Sequence, residues 1–282
     1  MKKILITASS SYIGKNIEKW LTESQEHYYI ESISVRKESW KRKDFSAFDV
    51  VLHLAGIAHQ KETHKNSFLY YKVNRDLAYE VAKKSKRQGV KQFVFLSSMS
   101  VYGVENGVIS KETRCNPKSN YGQSKLQAEE LIQPLSDDQF KVCIIRPPMI
   151  YGKGCKGNYV KLSRLVNYIP FFPNLNNKRS MIYIDNLSNF IKYLIDHCKG
   201  GLFFPQNKDY VNTFELVKTI AFYHNKNIKG ISLFNPVLNN VKTPLLNKIF
   251  GDLVYEKEMS SIGSFEDYCV YNFEESIKLT EE

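Results

Sequence analysis

Two pairs of residues in this chain have the types and spacing to move a proton: Tyr79 with Lys83, and Tyr121 with Lys125. Residues four apart share one face of a helix, so each pair can meet a common ligand. A phenol with a pKa of about 10 is a poor acid or base at neutral pH. A neighbouring ammonium favours the phenolate and brings the group closer to its working range. In a chain with 18 tyrosines the spacing also arises by accident, so the flanking sequence decides. Tyr79 and Lys83 have no polar strand end beside them in sequence. Tyr121 and Lys125 open a helix after a loop that begins Ser97-Ser98, directly behind the apolar strand Phe93-Val94-Phe95-Leu96. A hydroxyl at such a tip can hydrogen-bond a reacting oxygen and stabilise the charge that develops on it. Tyr121 and Lys125 are therefore the functional pair, and Tyr79 and Lys83 a structural one.

A second constellation joins the first strand to the first helix: Thr7-Ala8-Ser9-Ser10-Ser11-Tyr12-Ile13-Gly14. A loop that holds the pyrophosphate of a dinucleotide needs small residues. Bulk would keep backbone amides and the helix N-terminus away from the charge. Ala8 and Ser11 stand where glycines are usual, and Gly14 is the glycine that remains. At the end of the second strand an NAD enzyme offers Asp or Glu to the ribose hydroxyls. Here the residues are Ser34-Val35-Arg36-Lys37. An arginine can pair with a 2′-phosphate, which puts NADP(H) ahead of NAD(H). The alternatives are that Arg36 is simply exposed, or that Glu31 serves because the strand ends earlier. With a dinucleotide in place, a lysine beside the tyrosine can also hold the nicotinamide ribose.

The elements that must position these groups alternate. Strands are expected at 4–6, 28–35, 50–54, 93–96 and 142–145, the last stopped by Pro147-Pro148. Helices carry Ile13, Ile17, Trp20 and Leu21, then Val73, Leu77 and Val81, and then residues 121–133. This rhythm predicts an α/β Rossmann fold, a doubly wound parallel sheet, with a smaller C-terminal substrate domain. Residues 1–148 form the expected dinucleotide-binding domain and 149–282 the substrate domain, interleaved with the first. Residues 151–180, rich in Gly, Asn, Pro and Lys, read as loops and short helices. Segments 181–198 and 213–223 read as helical, with Thr213 as N-cap. Strand tips at Thr7, Leu54, Ser97 and Arg146 should converge on one crevice.

Composition sets the bounds. The 282 residues are 43% apolar and 24% charged, as in an ordinary globular protein. The net charge of +11 is concentrated in clusters such as Lys41-Arg42-Lys43 and Lys83-Lys84-Ser85-Lys86-Arg87, the second read as a solvated helix face. No run of about 18 apolar residues marks an integral membrane segment, and the opening residues lack a cleavage-site pattern. Five scattered cysteines form neither a zinc pattern nor a disulfide framework, so a cytoplasmic location is expected. Metal binding is not expected: His59 and His64 read as solvated loop residues, and Cys115 and Cys155 as incidental. No nucleic-acid motif accompanies the charge.

Taken together, these motifs resemble the extended short-chain dehydrogenases/reductases of the NAD-dependent epimerase/dehydratase family. The resemblance is carried by the Thr7–Gly14 loop, His53-Leu54-Ala55-Gly56, Val73-Asn74, the run from Ser97 to Gly103, Tyr121-Gly-x-Ser-Lys125, the segment from Arg146 to Gly152, and Arg179 ahead of Tyr183-Ile184-Asp185-Asn186-Leu187. It implies a catalytic trio of Ser98, Tyr121 and Lys125. It also implies a cofactor wall of residues 7–14, Arg36, Asp44, Phe45, Leu54, Ala55, Gly56, Asn74 and Pro148. Asn158 and Arg179 match positions that contact the diphosphate of a UDP- or dTDP-sugar.

Within the family the sequence looks most like bacterial capsule and O-antigen 4-ketoreductases. That resemblance implies NAD(P)H-dependent reduction of the C4 ketone of UDP-2-acetamido-2,6-dideoxy-hexos-4-ulose for surface polysaccharide biosynthesis. The alternative is an NAD-dependent nucleotide-sugar 4-epimerase, which needs the same trio. A non-catalytic dinucleotide-binding regulator is supported only by the missing glycines. A homodimer formed through helices near 75–88 and 121–133 is what the family implies.

Overall fold

A computed structural model describes residues 1–25, 27–58, 60, 62–63, 65–233, 235, 244–262 and 268–282. His59 and His64, read above as loop residues, lie outside the described residues. The chain divides into two compact units: Met1–Gly103, Arg114–Pro147 and Leu187–Pro205 form one, and Val104–Thr113, Pro148–Asn186 and Gln206–Glu282 the other.

The first unit is built on a six-stranded sheet. Its strands are β1 (Lys2–Thr7), β2 (Tyr28–Ile33), β3 (Val50–His53) and β4 (Gln92–Leu96). With β5 given to Gly107–Ile109 of the second unit, β6 (Lys141–Ile145) and β10 (Gly201–Phe203) complete it. The order is β10-β6-β4-β3-β1-β2, with every pair parallel. Every residue of β3 and β4 is buried. Such continuous burial is what a parallel sheet covered on both faces requires.

The first helix, α1 (Tyr12–Thr22), buries Gly14, Ile17 and Leu21 on one side. Next come α2 (Ser67–Tyr70), a π-helical stretch Tyr71–Asp76, and α3 (Leu77–Arg87). The helix α4 (Asn120–Ile132) buries Ser124, Lys125, Ala128, Glu129 and Ile132. Between sheet and helices lies a core that includes Leu5, Phe45, Val51, Phe93, Phe95, Ala128 and Phe140.

Two features of this unit differ from the sequence reading. The edge strand β10 was not expected: it has three residues and Gly201 and Leu202 are exposed, so it carries no apolar run to detect. The basic cluster on α3 is not simply a solvated face. Lys84 is buried, donates from Nζ to the Lys41 carbonyl at 3.0 Å, and lies 5.0 Å from the Phe45 ring centre. Lys86 pairs with Asp137 at 2.7 Å. Their aliphatic stems cover the core while the amines reach carbonyl and carboxylate oxygens.

The second unit contains three two-stranded parallel pairs. β5 pairs with β12 (Leu253–Tyr255), β7 (Met149–Tyr151) with β9 (Met181–Tyr183), and β8 (Phe171–Pro173) with β11 (Lys229–Ile231). Its helices are α5 (Asn158–Val166), α7 (Thr213–Tyr223), α8 (Pro244–Phe250) and α9 (Phe273–Glu281). The segment expected to be helical from 181 begins as strand β9, and α6 (Ile184–Asp196) follows it. The N-cap of α7 is Asn212, whose side chain accepts from Phe214 N and Glu215 N, rather than Thr213. Thr213 instead donates to the Ile249 carbonyl at 2.9 Å.

Among the described residues, no helix is long and apolar enough to cross a membrane. Phe93 is fully buried, with the His53 ring 5.8 Å away on one side and Phe140 6.4 Å away on another. Phe93→Ala is expected to cost about 3–5 kcal/mol, read as a lower urea midpoint with an unchanged m-value.

Candidate active site

The phosphate-type loop is explained by its sterics. Ser11 caps α1, accepting a hydrogen bond from Gly14 N at 2.9 Å. A Cβ on Gly14 would fall 2.8 Å from Ser11 Oγ and 2.9 Å from the Ala8 carbonyl oxygen, so this one glycine is a steric requirement. Ala8 has φ of 95°, a conformation that favours glycine. The expectation that a glycine would stand there thus matches the backbone, although the residue is alanine. The first turn of α1 contains no acidic residue, which leaves its N-terminus electropositive. Thr7 is turned inward, with its hydroxyl 2.9 Å from His53 Nδ1.

Beyond β2, Arg36 is exposed and Glu31 is paired with Lys43 at 2.7 Å. Asp44 and Phe45 do not face one ligand together. The Asp44 carboxylate accepts from the Ser46 amide and hydroxyl, and Phe45 is fully buried in the core.

The trio residues belong to the first unit. Ser98 follows the tip of β4 and caps the short 3₁₀ turn Met99–Tyr102, accepting from Ser100 N at 3.1 Å. Tyr121 stands in the first turn of α4, whose N-terminal amides are held from a distance: Glu62 accepts from Asn120 N and Tyr121 N, both at 3.0 Å. The hydroxyl of Ser98 is the polar side chain that bears on the Tyr121 phenol. Burial raises the Tyr121 pKa, and the hydroxyl of Ser98 pulls the other way. The expected acidification by the neighbouring ammonium is not among the influences on this phenol, which are burial and, more weakly, the Ser98 hydroxyl.

One turn on, Lys125 is buried. It donates to the Leu96 carbonyl at 2.8 Å and its Nζ lies 4.6 Å from the Phe95 ring centre. Burial lowers its pKa to about 8, opposed by the carboxylate of Glu129.

Asn74 and Gly56 complete this corner. Asn74 Oδ1 accepts from Ile57 N at 2.8 Å, and its Nδ2 donates to Ile57 O and Ser124 Oγ, both at 3.1 Å. Its amide is therefore engaged in fixing the loop after β3 against α4. A Cβ on Gly56 would meet Asn74 Oδ1 at 3.1 Å and Lys125 Nζ at 3.4 Å. Of the neighbouring residues, Leu54 is half-buried and Ala55 buried.

Sequence reasoning missed two groups. Glu62 sits in a loop without periodicity, and its role depends on a contact 59 residues away. The buried Glu129 lies on the same helix face as Tyr121 and Lys125, at spacings that could have revealed it. The Tyr79 and Lys83 pair reduces to an ammonium 5.2 Å from a ring centre.

In the second unit, Pro148 is buried and Asn158 is the exposed first residue of α5. Arg179 donates from Nη1 to the carbonyls of Gly251 and Asn247 at 2.8 and 3.3 Å. The thiols of Cys115 and Cys155 are both pushed up by burial. No group of three or more His, Cys, Asp or Glu suited to a metal occurs among the described residues.

An all-parallel sheet in this order, a small-residue loop at its first strand end, and a Ser, Tyr and Lys around its fourth define a dinucleotide-binding protein of the Rossmann class. The profile of the NAD dependent epimerase/dehydratase family matches residues 4–206, and the chain belongs to that family. It is an NAD(P)-dependent enzyme of epimerase or reductase type.

The chain is 34% identical to the UDP-glucose 4-epimerase of Vibrio cholerae over 250 residues, which cover 78% of this chain and 75% of that protein. It is 29% identical over 261 residues to the N-acetyl-alpha-D-glucosaminyl-diphospho-ditrans,octacis-undecaprenol 4-epimerase of Escherichia coli O157:H7, covering 88% and 77%. Among solved structures, UDP-glucuronic acid 4-epimerase from Bacillus cereus in complex with NAD superposes with a TM-score of 0.76 at 17% identity, covering 99% of this chain and 97% of that one. A dTDP-4-dehydrorhamnose reductase from Clostridium acetobutylicum gives 0.72 at 18% identity, covering 98% and 97%. These two likenesses are of fold.

Gly14→Ala is expected to weaken binding of NAD and NADPH tenfold or more, or about 1.4 kcal/mol upward, in a fluorescence titration. Lys125→Met should raise the melting temperature at pH 7. The lowered lysine pKa destabilises the folded chain fully below about 8, and this penalty fades as pH rises toward the ordinary lysine value of 10.5. The gain should therefore shrink across that window, and a pH-independent difference would contradict the assignment.

Proposed function

We propose that the chain interconverts C4 epimers of a UDP-linked hexose or N-acetylhexosamine by transient oxidation at C4. The observation that carries this reading is Ser98 just after β4, whose Leu96 carbonyl accepts from buried Lys125, with Tyr121 one turn earlier on the same helix face. Relatives that align over most of the chain are 4-epimerases, which favours epimerisation over the reduction expected from sequence.

The residues present fit a dinucleotide. Gly14 keeps the loop backbone clear, α1 presents an acid-free N-terminus, and Gly56 leaves space beside Lys125. The Thr7–Gly14 loop would hold the pyrophosphate, with Leu54, Ala55 and Gly56 along the wall, and Lys125 the nicotinamide ribose. When bound, the dinucleotide supplies the hydride acceptor and donor.

Tyr121 takes the proton from the C4 hydroxyl and later returns it, while Ser98 hydrogen-bonds the same oxygen. Burial favours the neutral phenol, which suits Tyr121 to holding that proton while C4 is a ketone. Asn158 and Arg179 are proposed to meet the substrate diphosphate. Arg179 uses Nη1 on carbonyls, and its planar fork has further donors.

A second reading, reduction of a UDP-linked 4-keto-6-deoxy amino sugar with NADPH for surface polysaccharide biosynthesis, is favoured by one observation. Glu31, the acid that could have met the ribose hydroxyls of NAD, is already paired with Lys43, which leaves Arg36 beyond β2 to meet a 2′-phosphate. A homodimer and a cytoplasmic location belong to the same proposal, and a monomeric sedimentation coefficient would contradict the first.

UDP-glucose and UDP-N-acetylglucosamine, offered separately, should give their C4 epimers without net consumption of added dinucleotide. Consumption of NADPH only with the 4-keto sugar would replace epimerisation by reduction. Tyr121→Phe should lower turnover by about 10²–10⁴-fold. Near-normal turnover in that variant would remove Tyr121 from the mechanism.

A further inference from the structure

The face of α4 that carries Tyr121 and Lys125 continues, after another four residues, to Glu129, which is 3% exposed. Its carboxylate gathers three elements. Ser97 Oγ, at the tip of β4, donates to Oε1. Arg146, just past β6 and 7% exposed, donates from Nε to both carboxylate oxygens at 3.1 Å and from Nη2 to Oε2 at 2.5 Å. The same guanidinium donates from Nη1 to the Tyr102 hydroxyl at 2.9 Å and lies 5.0 Å from that ring's centre. Tyr102 closes the 3₁₀ turn that Ser98 opens. The network therefore brackets Ser98 on both sides and is anchored in the helix that presents Tyr121.

Stability alone does not explain why this pair is ionic. Removing two charges from water is costly, and apolar residues of similar volume commonly hold such a site equally well. What a carboxylate adds is charge beside another buried charge. Facing Lys125 are Tyr121 and Glu129 on its own helix, the neutral Asn74 from the π-helical stretch, Gly56 from the loop after β3, and the Leu96 carbonyl and Phe95 ring from β4. The Lys125 ammonium also bears on His53 of β3, which is kept neutral chiefly by burial, its pKa lowered to about 3. Among these neighbours, Glu129 is the group that favours the lysine's charged form, and Arg146 holds its carboxylate through three hydrogen bonds.

We propose that Glu129 is a positioning residue for the trio, its carboxylate locking the strand tip that bears Ser98 to the helix face that bears Tyr121 and Lys125 and supplying the counter-charge for the lysine. This rests on the reading of the trio given above. Replacing the carboxylate by an amide keeps the size and removes the charge. In Glu129→Gln the 15N resonance of the Lys125 amine should titrate about half a unit or more below its midpoint in the wild type. Turnover should fall roughly tenfold or more with KM within about threefold, and its alkaline limb should move to lower pH.

A variant with an unchanged melting temperature and an unmoved Lys125 midpoint would overturn the proposal. Should Glu129→Gln not fold, the paired replacement Glu129→Met with Arg146→Met removes both charges and is expected to show the same lowered midpoint; an unmoved midpoint there would overturn the proposal equally. The titration needs no substrate, so it separates the two readings. A lowered Lys125 midpoint in a protein that turns over neither sugar upholds the electrostatic link and rejects the reaction. Turnover with an unmoved midpoint does the reverse.

Discussion

A lysine held among ring carbons and main-chain groups is costly to keep charged, and the strand ends of the first unit are organised around that cost. Lys125 has one carbonyl partner, an aromatic face beneath it, and the carboxylate of Glu129 further along its helix. Each of these depends on the sheet. The carbonyl and the ring are consecutive residues of β4, and the helix is held to β4 and β6 by the Glu129 contacts to Ser97 and Arg146.

The same corner shows how little freedom its neighbours have. Gly56 is confined by Asn74 and Lys125, while Asn74 spends its amide on Ile57 and Ser124. A π-helical stretch brings Asn74 to that point, a local departure of the kind often found at functional sites. Glu62 fixes the other end of α4 by taking its first amides. Both ends of the helix are thus tied to loops at the strand ends. In the proposed reaction that anchoring serves the Tyr121 phenol, since proton transfer depends on close placement of the oxygen.

The loop at α1 reaches a similar result by another route. Ser11 serves as the helix cap and Gly14 gives the room, so two of the usual glycines can be absent without losing the turn. Ala8 carries the cost as a left-handed φ. The substitution pattern that makes the sequence motif weak leaves the backbone shape of a phosphate loop intact, because the turn depends on only one close approach.

The alternation of apolar strands with amphipathic helices was legible from residues 1–148, because buried parallel strands read as unbroken apolar runs and their helices as a 3.6-residue period. The Tyr121 and Lys125 pair, the Ser97-Ser98 tip and the phosphate-type loop were legible for a local reason: each is a short motif set by spacing within one element. The strands after Pro148 were not, because each is three residues long and draws its hydrogen bonds from distant segments, and such short runs carry no period whether buried, as β9 is, or partly exposed, as β8 and β10 are. Nor could local sequence separate Lys84, buried against Phe45, from a solvated lysine, since that depends on what packs above it. By itself the sequence determined which residues can do chemistry. Only the tertiary structure decided their electrostatics, because burial and partners such as Glu62, Glu129 and Arg146 arise from contacts between residues far apart in the chain.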